Sequence, residues 1–413
     1  MTRAINYREL KRRTELDGAR ATCQHLREAL DAKQLDPQDF SLRELAEATV
    51  TTRDGTICGR DWVREMDPRR ADGGMVLEAS DGVDSTMFAN ITGQIVYSAI
   101  MQAYQQEAFV FGNLIPTIST RLDGEKIPGI GQLGDEAEVV GEGMPYPAVG
   151  LGEDYVETPS TTKRGLIVPV TKEAIFFDRT NLVLSRCSKV GEWLGVNKEK
   201  RLCDLVSGYT NNYKWKGTTY DTYSIDGSTG QEGGTAIPDL TNSIASNELI
   251  DWTDVDAVEQ LFVSMLDPDT GEPIIINAAQ VVVMPAKVHA ANRVFNATQI
   301  AYGTHGSTSA ATVTYANNPL TTNYTVYKSS LLYRRILATV ETTVANAKNM
   351  WFMGDFRKAF AYMENWPITV TQAPQNSEAE FNQDIVAQFK ASERGAAAVI
   401  NPRYIVKAYQ TSE

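Results

Sequence analysis

The sequence predicts an α+β protein, and three stretches carry that expectation. Residues 349–371 read Asn-Met-Trp-Phe-Met-Gly-Asp-Phe-Arg-Lys-Ala-Phe-Ala-Tyr-Met-Glu-Asn-Trp-Pro-Ile-Thr-Val-Thr. Short apolar runs there are punctuated by turn signals, the pattern of a β-meander. Earlier, Val183, Cys187, Val190 and Leu194 follow a 4-3-4 spacing continued by Leu202 and Leu205, which predicts one long buried helix. Between these two stretches, from Thr253 on, helical and strand patterns alternate.

In chain order, residues 4–33 predict a helix with Leu10, Ala19, Leu26 and Leu30 among its apolar positions. A second helix is expected over 42–50, with Ser41 and Glu44 placed as a capping box. Residues 73–82 form a glycine-rich acidic hinge, and 85–106 a long apolar helix. Strand-like ends, Leu114 to Ile118 and Leu166 to Val170, flank a stretch dense in glycine, proline and acid. Within 121–160, nine carboxylates face Arg121 and Lys126, a net charge of −7. Forty such residues cannot bury a core, and repulsion favours an extended, projecting hairpin. Its removal over 122–158 is expected to leave the body folded.

The long helix should run over 179–206 with Asp178 as N-cap. Gly191 and Gly195 weaken it and permit close packing. Residues 208–250 read as an inserted hairpin or loop around Tyr213-Lys214-Trp215-Lys216-Gly217. A helix over 255–266, a buried strand over 279–284 and a helix over 286–295 follow. A polar loop is expected over 301–322, after which Tyr324 to Val326 and Leu331 to Ile336 lead back to the meander. Its strands are expected over 350–353, 356–363 and 368–371. Gly354-Asp355 forms the first turn, and Trp366-Pro367 the entry to the third strand, where proline suits an edge. A further strand is expected over 396–400.

Composition narrows the class. The chain has 413 residues, 42% hydrophobic and 22% charged, ample for a buried core and unlike a disordered chain. No apolar run approaches the ~18 residues of a membrane span, and the polar start lacks a signal-peptide core, so no membrane contact is expected and synthesis in the cytoplasm is. The net charge of −13 argues against a free-standing nucleic-acid binder. Residues 1–27 run the other way at +4, with Arg3, Arg8, Lys11, Arg12 and Arg13 as a basic arm. Such an arm is either a solvated helix face or a contact for phosphates or an acidic neighbour. The four cysteines, Cys23, Cys58, Cys187 and Cys203, form no Cys-x-x-Cys pair. Cys187 and Cys203, sixteen residues apart on one helix, stand ~24 Å apart. They cannot bridge.

No catalytic residue, cofactor site or metal site is expected. Gly129-Ile130-Gly131-Gln132-Leu133-Gly134 matches a dinucleotide fingerprint, but Asp135-Glu136 would meet phosphate with like charge, and no strand–helix context surrounds it. Asp267-Pro268-Asp269-Thr270-Gly271-Glu272 has too few ligands for a calcium loop and reads as a turn. The three histidines lie far apart in sequence, and nucleophile-elbow and Walker patterns are absent.

The C-terminal block, with Phe389-Lys390-Ala391-Ser392-Glu393-Arg394 after the Gly-Asp-Phe pair, resembles tailed-phage major capsid proteins of the Hong Kong 97 type. The order of projecting loop, long helix and meander is similar as well, over roughly 113–407. The resemblance implies an extended loop at 113–170, a spine helix of the peripheral domain at 171–207, an axial domain at 251–345 and the end of the peripheral domain at 346–413. Residues 1–112, read as an N-terminal helical arm, depart from the family pattern, and 208–250 stands as an inserted loop or hairpin.

The function so implied is that of a major capsid protein. It would self-assemble as pentamers and hexamers into an icosahedral virion shell around double-stranded DNA, with assembly in the host cytoplasm. Cement, scaffold and portal proteins are the further partners implied, with DNA contact weak and non-specific. The loop would supply the subunit interface, through Lys126, Gly129, Gly131, Gly134, Met144 and Tyr146, and the basic arm would face inward. Some members join a loop lysine to a neighbour's asparagine. Here Lys126 sits near Asp123 and Glu125, which favour its charged, non-nucleophilic form, so non-covalent assembly is expected. The alternatives are a cellular nanocompartment shell of the same fold, and a soluble enzyme with dispersed catalytic residues.

Overall fold

A computed structural model describes residues 7–17, 19–31, 44–45, 47, 85–104, 109–128, 140–144, 155–171, 173, 182–210, 213–230, 234–267, 271–303, 313–318, 320–321, 323–339, 343–373 and 385–410. The chain divides into two compact units that interleave in sequence. One comprises residues 1–107, 163–197 and 366–394, the other 108–162, 198–365 and 395–413. The helix Leu182–Ser207 and the strands Phe360–Gln372 and Ile385–Val399 pass from one unit into the other.

In the first unit the expected N-terminal helix is two helices, Tyr7–Asp17 and Ala19–Asp31, packed on each other. Leu10, Leu26 and Ala29 are buried. The second of these packs on Ser85–Tyr104, whose Ile95, Val96, Ala99 and Ile100 are buried. The long helix approaches the same element closely. A Cβ at Gly191 would lie 2.1 Å from the Ile100 carbonyl oxygen, so glycine is required there. The unit's sheet places Ile385–Val399 between Phe360–Gln372 and Thr162–Thr171. Gly165 comes so near that a Cβ would stand 2.6 Å from the Ala391 carbonyl oxygen. The Tyr104 hydroxyl donates to the buried Glu393 carboxylate at 2.9 Å.

The second unit is built on a five-stranded sheet in the order Thr325–Lys328, Gln280–Val283, Trp351–Gly354, Ile405–Tyr409, Ser243–Ala245. The outer pairs are parallel and the inner ones antiparallel. Val281, Val282, Val283, Trp351, Phe352 and Met353 are all buried, as continuous apolar runs at the centre of a sheet should be. Truncating Trp351 to alanine would cost about 3–5 kcal/mol. The flanking helices are Trp252–Val263, Val288–Asn296, Ser330–Thr339 and Val344–Asn349. Asp251 and Asp254 form a capping box on the first of them. Arg335 holds Asp204 through two bonds of 2.7 Å, tying Ser330–Thr339 to the end of the long helix.

Several expectations change. Residues 356–363 do not form one strand: Asp355 caps a helical turn, Phe356–Ala359, through the Arg357 amide. The turn buries Phe356 against Phe111 and Phe360. The strand then runs unbroken from Phe360 to Gln372 through Trp366-Pro367, so the expected second and third strands are one. The expected strand over 396–400 is the end of Ile385–Val399. The chain over 331–336 is helical, with Leu332 and Ile336 buried one turn apart. The polar stretch after Phe295 contains a β-hairpin, Gln299–Gly303 with Val313–Asn317. The strand-like start at 114–118 is a helical turn, Phe111–Leu114, followed by a short strand, Thr117–Ser119. The helix expected over 42–50, the hinge at 73–82 and the Asp178 cap lie outside the described residues, save that Glu44, Leu45 and Glu47 are helical.

Candidate assembly surface

The two legs of the acid-rich loop meet in an antiparallel pair, Lys126–Pro128 with Tyr155–Glu157. That pair extends into the 208–250 insertion. Tyr155–Glu157 also pairs with Tyr213–Trp215, which turns back into Thr218–Tyr220. The turn is Lys216-Gly217, both at positive φ (47° and 84°), as the mirror-image hairpin turn demands. The insertion therefore supports the base of the loop within one four-stranded sheet.

Alternation divides the sheet into two faces. Ile127, Val156, Tyr213, Trp215 and Tyr220 share the apolar face, where Val156 and Tyr213 are buried in the unit's core. Lys126, Glu157 and Lys214 form a cross-strand row on the other face. Their side chains are 65%, 20% and 43% exposed, so this face looks outward. Lys214 and Lys126 both pair with Glu157, Lys126 at 3.4 Å. The Lys214 ammonium holds the Glu157 carboxyl below the usual carboxylate range, with Lys126 adding to the effect and partial burial opposing it. The Lys126 ammonium also sits 4.3 Å from the centre of the Tyr155 ring.

Further bonds staple the legs. The Thr158 hydroxyl accepts the Glu125 amide at 2.8 Å and donates to the Glu125 carbonyl, while the Thr158 amide donates to that same carbonyl at 2.9 Å. The Asp123 carboxylate accepts both the amide and the hydroxyl of Thr161. The Asn365 side-chain amide donates to the carbonyls of Thr120 and Leu122, fixing the outgoing leg to the strand Phe360–Gln372. The loop base is thus rigid and belongs to the body. A deletion over 122–158 would remove the buried Val156 and unseat the sheet, contrary to the expectation that the body would tolerate it.

Of the loop residues singled out in the sequence, Lys126 lies in this sheet and Met144 in an exposed turn at 141–144, where it is 67% exposed. Gly129, Gly131, Gly134 and Tyr146 lie outside the described residues, as does Arg3. Arg8, Lys11, Arg12 and Arg13 are on the helix Tyr7–Asp17, with Lys11 and Arg12 exposed and Arg13 half-buried. Glu157 and Lys214 escaped the sequence reading. Their signal was the alternation of Tyr155-Val156-Glu157 and of Tyr213-Lys214-Trp215, but nothing local pairs one segment with the other.

Among the described residues, no three His, Cys, Asp or Glu side chains are placed to hold a metal ion, and no helix is long and apolar enough to cross a membrane. The family model described as "Phage capsid protein" matches residues 155–408. No curated protein matches the chain. Among solved structures, the capsid of the Cyanophage P-SCSP1u is 13% identical and covers 75% of this chain and 90% of its own, with a TM-score of 0.47. The capsid of the native GTA particle is 11% identical over 74% of this chain and 91% of its own, with a TM-score of 0.45. The mature capsid of bacteriophage PhiM1 is 11% identical over 75% and 89%, with a TM-score of 0.42. The family match spans more than half the sequence and takes in the return leg of the loop, the long helix and both C-terminal strands: the chain belongs to the phage capsid protein family.

Proposed function

We propose that the chain is the major capsid protein of a tailed double-stranded DNA phage, assembling as pentamers and hexamers into an icosahedral shell. The observation that carries this, beyond family membership, is the loop: its base is stapled to the body, yet residues 121–160 carry nine carboxylates and no core of their own. A segment of that kind gains its packing from a neighbouring copy. In this reading residues 251–345 form the axial domain around the symmetry axes, and the basic arm at Arg3, Arg8, Lys11, Arg12 and Arg13 faces the lumen. Assembly takes place in the host cytoplasm, cement, scaffold and portal proteins complete the particle, and DNA is contacted weakly and without sequence preference.

The test is a deletion of residues 129–154 closed by a short glycine linker, which keeps both strands of the loop base. The variant should retain the wild-type circular dichroism spectrum and sediment as single chains or small oligomers, while the wild type forms closed particles visible by electron microscopy. Normal shells from the deletion would overturn the role given to the loop.

A further inference from the structure

Charge is segregated along the second unit. Residues 251–272 hold seven carboxylates and no Lys or Arg, whereas residues 273–340 hold five Lys and Arg and no carboxylate. Two of those five cations are paired with acids from outside the segment, Lys287 with Glu248 and Arg335 with Asp204. The other three, Arg293, Lys328 and Arg334, are exposed and make no hydrogen bond or ion pair among the described residues.

Each segment shows an exposed stripe on a helix. On Trp252–Val263, the residues Trp252, Asp256, Gln260 and Val263 follow at intervals of four, four and three, and all are exposed, while Val255, Val258 and Phe262 are buried. Trp252 is 39% exposed and Val263 80%. One oxygen of Asp256 accepts the Gln260 side-chain amide at 2.8 Å, a neutral partner that leaves the carboxylate charge uncompensated. On Val288–Asn296, the residues His289, Arg293 and Asn296 are exposed at intervals of four and three, while Ala291, Val294 and Phe295 are buried.

The two stripes lie towards different ends of the five-stranded sheet. Trp252–Val263 packs on Ile405–Tyr409. Its start is tied there, because the Asn247 side chain donates to the Asp254 carbonyl and the Asn247 amide to the Tyr409 carbonyl. Val288–Asn296 packs on the edge strand Thr325–Lys328. Gln280–Val283 and Trp351–Gly354 run between, so the two packing strands stand three strand spacings apart, ~14 Å.

We propose that the stripe of Trp252 and Asp256 on one copy receives the helix Val288–Asn296 of the next copy, the Arg293 guanidinium pairing with Asp256 and stacking on the Trp252 indole. Trp252 and Asp256 are one helical turn apart, so a single guanidinium reaches both. Trp and Arg are also the side chains that most often anchor interfaces. The acid-only and base-only segments add long-range attraction between the two faces. The contact joins two different faces, so it is heterologous and closes copies into a ring. This rests on the reading that copies assemble into a shell, and it names the surface that joins neighbours within a ring.

Two charge reversals and their combination test the proposal. Asp256→Arg and Arg293→Asp should each keep the wild-type circular dichroism spectrum, since both side chains are exposed. Each should raise the protein concentration at which half the chains assemble by about two- to fivefold or more at low salt, because an attraction becomes a repulsion. The chain that carries both substitutions has an attractive pair at every contact, whatever the ring size, and should assemble near the wild-type concentration. Asp256→Asn and Arg293→Gln should shift assembly in the same direction by a smaller factor, and they decide the matter where a reversal disturbs the fold. Wild-type assembly by the single variants would leave the stripe to some other protein and overturns the proposal, as does a double variant no better than the singles. A wild-type chain that never assembles under these conditions instead sinks the shell reading on which it rests.

Discussion

The Glu199 carboxylate accepts the backbone N–H of Phe111 at 2.9 Å, and it takes the amides of Val110 and Gly112 at the same distance. Three consecutive amides thus converge on one buried side chain of the long helix. They are the amides that the helical turn Phe111–Leu114 leaves unpaired at its start, so Glu199 caps that turn across a separation of 88 residues in sequence. The turn precedes the strand that opens the loop, and its Phe111 is buried against Phe356.

Burial raises the Glu199 carboxyl above its ordinary value of 4.5, with the three amides opposing the shift. A carboxyl raised in the folded state binds more protons folded than unfolded as pH passes between the two values. Stability relative to a neutral residue therefore falls as pH rises from 4.5 towards the raised value, and is constant above it. Denaturant titrations of wild type and Glu199→Gln at several pH values between 4 and 8 should show the wild type losing ground as pH rises. A difference that grows in favour of the wild type would contradict this.

Gly191→Ala should destabilise the chain. In most helix interiors that substitution stabilises by about 1 kcal/mol. Here the new methyl would stand 2.1 Å from the Ile100 carbonyl oxygen, and backbone cannot rotate away. A cost of about 1–3 kcal/mol or more is expected, read as a lower midpoint in thermal or denaturant unfolding. An unchanged or higher midpoint would show that the two helices do not approach so closely.

Cys187 and Cys203 lie on the one helix Leu182–Ser207, both buried and both free. Burial pushes the Cys187 thiol up to about 11 and the Cys203 thiol well above its ordinary value. At pH 8 about one Cys187 in a thousand would be thiolate. In a Cys23→Ser, Cys58→Ser background, the native chain should react with a thiol reagent only as fast as it unfolds, and two thiols should appear in denaturant. Rapid labelling of the native chain would refute the burial.

Mature particles boiled in denaturant and reductant should run as single chains. The Lys126 ammonium is held by Glu157 and the Tyr155 ring, away from any neighbour, and the Asn365 amide is spent on the carbonyls of Thr120 and Leu122. A ladder of multiples on the gel that vanishes with Lys126→Ala would show a covalent link.

The sequence by itself determined the α+β class, the long helix, the buried strand at 280–283 and the hairpin around Lys216-Gly217, because each is written in local periodicity or turn chemistry. The cysteine pair was legible for the same reason, since helical rise alone keeps Cys187 from Cys203. Only the tertiary structure decided what crosses long stretches of chain. Lys214 meets Glu157 and Glu199 meets Phe111 through pairings that no window of a dozen residues contains. The same holds for the two local readings that changed. Phe356 lies in a helical turn because its ring is buried against Phe111 and Phe360, and Trp366-Pro367 stays within a strand because a neighbouring strand runs past it. Local propensities differ by about 1 kcal/mol or less per residue, whereas burying an aromatic ring is worth about 2–3. Where the two disagree, the distant contact wins.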